Sequence, residues 1–414
     1  REPAAQQLCT RIEAFRSNIA GFRKPLSDEF RRAAAEWLKI AERQLAEARR
    51  ITTKELTLQV FRAGDPANPE SEAFIARYPV IGELEQQVML STGCPGIVLY
   101  ARRRMGKSTI LRNLTGFLPP DVLTAFVSMQ QPQLFTSVET AVGALHDEIR
   151  KQLPSLPAEA PPTDLPGFFS FLTACNDKLA ADGKRLLLAV DEYETIDAKI
   201  GANVFPRDLL DTIRESIQTH RRLTWIFAGS HEIYELTNAP WTSYLVSART
   251  IEVPAFTEAE TRLLLTEPLK HSSLWRYNED KRPRFAASFW GINGIERIHA
   301  EAGGWPHLVQ LIAETVVDLV NDEEVGEVSP ELLERALDKA VGRGQNVLYE
   351  LMRRECTLPG EWDYLEGFKR NDTQPPPVDE TLARSLRRRL LIAEEAGYWR
   401  LRVPLMARWL KTRG

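Results

Sequence analysis

The sequence predicts an α/β protein: a parallel sheet covered by helices on both faces, then an all-helical segment, then a small helix–hairpin–helix end. Three observations predict it. Short apolar runs of strand length recur up to about residue 256: "IVLY", "VLTAFVSM", "RLLLAVD", "RLTWIFAGS" and "ARTIEVPAF". Stretches with helical period alternate with them, and strands alternating with helices call for parallel pairing. Beyond Thr257 the apolar residues keep helical spacing until one late hairpin pattern.

The bulk numbers set the frame. A chain of 414 residues has room for two or three domains. A net charge of -4 names no partner. Cys9, Cys94, Cys175 and Cys356 are far apart and fit neither a metal nor a disulfide spacing, which suits a reducing compartment. No apolar run approaches a membrane span and no secretory pattern is visible, so a cytoplasmic setting without a membrane partner is expected. The chain opens on Arg1 rather than Met and is read as a piece of a longer polypeptide.

Residues 1–60 are read as an amphipathic helical segment or linker. Leu8, Ile12, Phe15, Ile19 and Phe22 recur as one helical stripe, and Phe30, Ala34, Trp37, Ala41, Leu45 and Ala48 as another. They either pack on the rest of the chain or form a coiled-coil joint to an effector domain or partner.

Residues 61–256 are read as the α/β core, its regular elements starting near residue 75. Ile97, Val98, Leu99 and Tyr100 form a short buried strand, and Ile110, Leu111 and Leu114 fall at helical spacing. Between them lies Ala101-Arg102-Arg103-Arg104-Met105-Gly106-Lys107-Ser108-Thr109. This is the phosphate-loop pattern GxxxxGK[ST] with Ala at the first Gly. Gly106 lets the backbone turn so that successive N–H groups point inward, and the helix starting near Lys107 adds its positive end. Lys107 is the residue for the β- and γ-phosphates, and Ser108 offers a hydroxyl to Mg²⁺. Ala101 raises one question, since its Cβ disfavours a left-handed backbone. The plain alternative is an arginine-rich turn with no ligand.

"LLLAVDEYE" supplies the second half of such a site. Leu186 to Val190 bury a strand, and a carboxylate pair at its tip is costly unless something cationic faces it. Asp191 is read as the Mg²⁺ holder and Glu192 as the general base that polarises the attacking water. The alternative is that the pair merely caps the next helix. No NKxD guanine-reading motif is present, so the expected nucleotide is ATP or ADP. The strand 222–230 is expected beside the phosphate-loop strand. That puts Ser230, with His231 as second choice, near the γ-phosphate as a sensor of water or phosphate; the plain reading is a turn residue.

The intervening helices are "LFTSVETAVGALHDEIRKQL" from Leu134 to Leu153, one ending near Gly183 after a proline-rich loop, and "PRDLLDTIRESIQTH". A capping box, Thr257 to Glu260, starts a helix. Residues 257–328 are read as a helical lid, with two helices broken at Gly303-Gly304-Trp305-Pro306. Residues 329–414 end as helix, strand, Glu-Ala-Gly turn, strand, helix, the outline of a winged helix.

In this order the motifs resemble the STAND class of P-loop ATPases, close to the archaeal-type AAA+ ATP-binding proteins. "YPVIGELEQQV" resembles the family's entry segment, with Glu83 where Arg is common. "YARRRMGKSTIL" resembles its phosphate loop, "LLLAVDEYE" its acidic motif, "GGWPHLVQLI" its Gly-x-Pro motif and "YWRLRVPLMARWL" the end of its winged helix. The resemblance covers roughly residues 60–414. It implies a sheet of the ASCE/AAA+ type with a helical lid and winged helix, and Pro306 packed on the adenine. It also implies an ATP-driven switch: ADP holds a closed state, ATP permits assembly, and slow hydrolysis resets it, in signalling or defence. A homo-oligomer or a protein effector would be the partner. A neighbour's arginine would complete the site, with Arg249, Arg221 and Arg222 as candidates against the plain reading of solvated surface residues.

Two rivals follow from the residues. From Thr381 to Gly414 nine basic residues stand against Glu394 and Glu395. A basic winged helix is what duplex DNA requires, so an AAA+ DNA-binding ATPase is the alternative. The acidic hairpin tip and the packing residues Leu386, Leu390 and Leu391 speak against it. The other rival binds nucleotide only as structural glue, and Glu192 speaks against that.

Overall fold

The computed structural model describes residues 2–19, 26–49, 56–90, 92–131, 135–157 and 160–413. Phe22 and Leu134 lie outside these residues, as does the side chain of Ala48. The chain divides into two compact units: Ala76–Pro254, and Arg1–Ile75 together with Ala255–Gly414.

The first unit is the α/β unit. Its strands are β1 (Ile97–Tyr100), β2 (Val122–Ser128), β3 (Arg185–Asp191), β4 (Leu223–Gly229) and β5 (Arg249–Glu252). They pair in parallel in the order β2-β3-β4-β1-β5. β1, β3 and β4 are buried along their whole length, the pattern of a parallel sheet covered on both faces. Phe168, Leu172, Cys175 and Leu179 of the helix Leu165–Ala181 and Leu209, Leu210 and Ile213 of Asp208–Thr219 close one shared core with the strands. The helix sought from Leu134 begins at Val138, where the Ser137 hydroxyl accepts from the Thr140 N–H and the Thr140 hydroxyl accepts from the Ser137 N–H.

Register places the functional edge. Tyr100 pairs with Gly229, Asp191 with Ala228, and Ser128 with Asp191. The carboxyl ends of β1, β2, β3 and β4 therefore line up, and in open parallel sheets ligands bind outside that edge.

The second unit is helical. The helices Glu2–Ile19 and Leu26–Arg49 pack on each other through Cys9, Ile12, Ala34, Leu38, Ala41 and Leu45. The predicted stripes are half right. Leu8 is 50% exposed, Phe30 44% and Trp37 50%. The close seam combines the small Cys9, Ala34 and Ala41 with Ile12, Leu38 and Leu45, while Phe15 stacks on Trp37 and meets Phe30 edge-on outside it. Asn18 Nδ2 donates to the carbonyls of Ser273 and Leu274 at 3.2 Å, which ties the hairpin to the helical unit.

Residues 61–75 also belong to this unit, not to the α/β core where the sequence reading put them. The strand-like segment around them binds one long helix, Pro306–Asp322. The Thr57 N–H donates to Asn321 Oδ1 at 2.7 Å, Gln59 Nε2 to Asp318 Oδ1 at 2.7 Å, and Gln310 Nε2 to the Ala73 carbonyl at 2.6 Å. The helices Gly294–Ala302 and Pro306–Asp322 are broken at Gly303 and Gly304, both left-handed (φ 58° and 70°). Near the end come the helix Glu380–Arg388, the antiparallel pair β6 (Ile392–Glu395) and β7 (Tyr398–Leu401), and the helix Pro404–Lys411. Ala396 and Gly397 both take positive φ, as a two-residue hairpin turn requires.

Candidate functional site

The site is built where β1 ends. The chain passes from Tyr100 through Ala101–Gly106 into the helix Lys107–Asn113. The left-handed positions of this loop are Arg104 (φ 64°) and Gly106 (φ 90°), not Ala101. The alanine therefore costs no backbone strain, and the question its Cβ raised is resolved. Gly106 caps the helix and turns its first N–H groups toward the loop. Ala101, Arg102, Met105 and Lys107 are buried, Arg103, Ser108 and Thr109 half-buried, and Arg104 exposed. Lys107 Nζ donates to the Ala101 carbonyl at 2.6 Å and to the Arg102 carbonyl at 3.3 Å, bridging the loop it belongs to.

The β3 tip meets the loop directly. Ser108 Oγ donates to Asp191 Oδ2 at 2.5 Å, and the Glu192 N–H donates to Asp191 Oδ1 at 3.1 Å. Burial pushes the Asp191 carboxyl above its ordinary value, against the opposing pull of Ser108 and Lys107. Burial also raises Glu192, and the neighbouring Glu194 and Asp191 carboxylates add to it. Glu192 stands in left-handed backbone (φ 58°), a costly conformation for a side-chain-bearing residue. Gln130, just past β2, donates its amide to Glu192 Oε1.

β4 runs between β1 and β3, and Ser230 follows its last residue. The Gly229 carbonyl accepts from the Ala101 N–H at 3.3 Å, so the β4 end abuts the start of the loop. Ser230 is buried; its hydroxyl donates to Glu194 Oε1 at 2.8 Å, its N–H to the same oxygen at 3.2 Å, and its carbonyl accepts from Arg102 Nη1 at 3.4 Å. His231 Nδ1 lies 3.5 Å from Glu194 Oε1. Burial would raise Glu194, but the bonds from His231, its own backbone and Ser230 outweigh it and hold the carboxyl at about 2.

The α/β unit thus gathers the loop, Asp191, Glu192 and Ser230 at one sheet edge. Pro306 belongs to the helical unit, buried at the first turn of its helix, and its role rests on the sequence motif. Of the arginine candidates, Arg249 pairs with Glu83 at 3.2 Å. Gln130 and Glu194 were missed by sequence reasoning. Gln130 sits in no motif; Glu194 ends the quoted "LLLAVDEYE" stretch but was given no role there, although a third carboxylate so close to Asp191 was a usable signal.

A hydroxyl and a carboxylate are hard oxygen donors, the set that suits Mg²⁺ completed by phosphate and water. Among the described residues there is no cluster of three or more His, Cys, Asp or Glu that would hold a metal unaided. No helix among them is long and apolar enough to cross a membrane.

No protein-family profile matches the chain, and no curated protein matches it. Solved structures do. A Walker-type ATPase of Pyrococcus abyssi superposes with a TM-score of 0.54 at 17% identity, covering 82% of this chain and 96% of that one. The ORC2 protein of Aeropyrum pernix in its ADPNP–ADP complexes gives a TM-score of 0.47 at 12% identity, covering 84% and 97%. The Cdc6p protein of Pyrobaculum aerophilum gives 0.45 at 13% identity, covering 84% and 97%. The first likeness and the five-stranded parallel sheet show the fold of a P-loop NTPase.

Proposed function

We propose that this chain binds ATP, hydrolyses it slowly, and uses the difference between its ATP and ADP states as a regulatory switch. The observation that carries the reading is the 2.5 Å bond from Ser108 of the phosphate loop to Asp191 at the β3 tip. It joins the two halves of a nucleotide site through the residues that such a site needs.

Each residue then has a defined task. The backbone N–H groups from Arg102 to Thr109 would cradle the phosphates. Lys107, freed from the Ala101 and Arg102 carbonyls, would take the β- and γ-phosphates. Ser108 and Asp191 are the residues that would hold Mg²⁺, which when bound neutralises phosphate charge and draws electrons from the γ-phosphoryl oxygens. Glu192, with its affinity for protons raised by burial, would orient the attacking water and accept its proton. A switch requires differential contact with the two nucleotides, and the γ-phosphate supplies it through Lys107 and Ser108.

Signalling or defence, STAND membership, a winged helix, an oligomer or effector partner and a cytoplasmic setting remain parts of this proposal that rest on the sequence resemblance. The duplex-DNA reading has less support. At least five of the nine C-terminal cations are already matched: Arg387 with Glu394, Arg400 with Glu395, Lys411 with Asp372, Arg408 with Glu301 and Arg389 with Glu355. A phosphate backbone would have to break those pairs to be bound.

The test is direct. The purified chain is denatured and any released nucleotide identified by chromatography, then ATP turnover is measured for the wild type and Glu192→Gln. Released ADP at one per chain, with turnover abolished but ATP still bound by the variant, is the expected result. Equal turnover in both proteins rejects Glu192 as the base.

A further inference from the structure

We infer that Glu194 is a positioning residue whose carboxylate engages the one hydrogen of the Ser230 hydroxyl in a hydrogen bond, so that Ser230 meets the reaction as a hydrogen-bond acceptor that reads water, not as a donor that reads phosphate. This deepens the ATPase reading and rests on it.

The argument is one of donor and acceptor counting. A serine hydroxyl has one hydrogen to give and two lone pairs to offer. The nearest acceptor for the Ser230 hydrogen is Glu194 Oε1 at 2.8 Å; His231 Nδ1, 3.4 Å from the hydroxyl, also faces Glu194 at 3.5 Å and acts there as a donor. An ionised carboxylate can only accept, and three neighbouring donors keep Glu194 ionised. The shorter, charge-assisted bond engages the hydrogen. Ser230 is 4% exposed, so bulk water does not compete for it.

Phosphate oxygens accept hydrogen bonds and have none to give at neutral pH. A Ser230 oxygen left with lone pairs has nothing to offer them, whereas a water molecule donates to it readily. Local packing keeps this polarity in place. A Cβ built on Gly229 would lie 2.3 Å from Glu194 Oε2 and 2.5 Å from the Tyr193 ring, so the glycine before Ser230 is what lets the carboxylate reach under the strand end. Tyr193 is itself fixed, its hydroxyl donating to the His231 carbonyl at 2.9 Å. The side chains at 193 and 194 thus hold both residues that follow β4.

Glu194→Gln reverses the polarity. The amide Nε2 can donate to Ser230 Oγ, and the hydroxyl proton becomes available to a γ-phosphate. Three quantities are measured on the full chain: turnover, ATP affinity and ADP affinity. Glu194→Gln is expected to lower turnover by about tenfold or more. It should raise the preference for ATP over ADP by a few-fold to about tenfold, the worth of one new hydrogen bond. That gain disappears in Glu194→Gln combined with Ser230→Ala. Ser230→Ala alone should lower turnover and leave ATP affinity within about twofold, far less than a lost phosphate bond would cost. A loss of ATP affinity of about tenfold in Ser230→Ala, or wild-type turnover in Glu194→Gln, overturns the inference. If Glu194→Gln does not fold, the affinity of Ser230→Ala decides alone. Absence of turnover in the wild type, with Glu192→Gln indistinguishable from it, would instead sink the ATPase reading, while the ATP-to-ADP preference would still report the polarity of Ser230.

Discussion

Two regions of this molecule bury charge, and they do it in opposite ways. In the helical unit, Arg408 of the last helix forks to Glu301 at 3.2 Å, Glu334 at 2.8 Å and Asp338 at 3.3 Å, while Arg297 reaches Glu301 at 2.9 Å. Arg389, more deeply buried, meets Glu355 and Glu361, and Glu361 also accepts from the N–H groups of Thr357 and Leu358. The charges of this cluster pair with one another, so the hydrogen bonds to Glu301 and Glu334 raise Arg408 and the bonds to Arg408 and Arg297 lower Glu334, each against the pull of burial. At the sheet edge the carboxylates Asp191, Glu192 and Glu194 crowd together, and burial raises two of them. Matched charge closes a structure; unmatched charge waits for something to bind.

The largest effects should fall on the unmatched side and on chemistry, not stability. Glu192→Gln is expected to lower ATP turnover by about 10²–10⁴-fold without lowering the thermal midpoint at neutral pH. Lys107→Ala should lower ATP affinity and cut turnover by about 10²–10³-fold. Calorimetric titration with ATP checks the second, and an unchanged affinity would remove the loop assignment. On the matched side the order reverses. Arg408→Ala is expected to cost about 2 kcal/mol of stability, since Arg297 still holds Glu301 in part. Its turnover per folded chain should be unchanged. A stability loss without an activity loss there, and an activity loss without a stability loss at Glu192, is the pattern that would sharpen the contrast. Gly229→Ala joins the two regimes. It forces Glu194 and Tyr193 aside, and should cost about 1–3 kcal/mol and turnover together.

How much of this was legible beforehand follows from the physics of each part. The strands were readable because parallel strands buried on both faces leave unbroken apolar runs, as "RLLLAVD" does. The strand–loop–helix around Gly106 and the Asp191 strand tip beside it were readable because the GxxxxGK[ST] spacing and the apolar run ending in acid fix where the strands stop. The amino-terminal seam was read in part: Ile12, Ala34, Ala41 and Leu45 lie in it as expected, but Cys9 and Leu38 replace Leu8, Phe30 and Trp37, because small residues let the helices approach closely and leave the large rings outside. The segment 61–75 was misplaced because extended chain bonded to a helix by single side chains has no period to detect. Gln130 was invisible, and Glu194 was visible only as a third carboxylate without a role, because what each does lies in what the fold brings beside it.

Proton linkage separates carboxylates even within the sheet edge. Asp191 has a raised value, so its contribution to stability is present at low pH and is lost as the pH rises through that raised value. Asp191→Asn should therefore raise the thermal midpoint of the unliganded chain at neutral pH and leave it unchanged in acid. Glu194 has a depressed value; its contribution is present above the ordinary glutamate range and lost as the pH falls toward about 2. Glu194→Gln should lower the midpoint at neutral pH, and the difference should shrink as acid is added. Opposite signs in melting curves taken across the acid range would show that the three carboxylates are not one cluster. Equal signs would break the distinction drawn between them.

The smallest effects belong to charges that are matched but exposed. Arg387 and Glu394, 2.7 Å apart, are both more than half exposed, and water screens what they gain from each other. Arg387 also lies over the Trp399 ring at 4.8 Å, so part of its worth is packing that salt does not touch. Arg387→Ala should cost below about 1 kcal/mol, and Glu394→Gln less, because only the second leaves the ring contact intact. Raising the salt concentration should erase the Glu394→Gln difference and leave most of the Arg387→Ala difference. The same pair tests the DNA reading: a surface built to bind phosphate gains affinity when Glu394 loses its charge. Duplex binding that is absent in the wild type at low salt and still absent in Glu394→Gln would mean that these arginines serve the hairpin and nothing outside it.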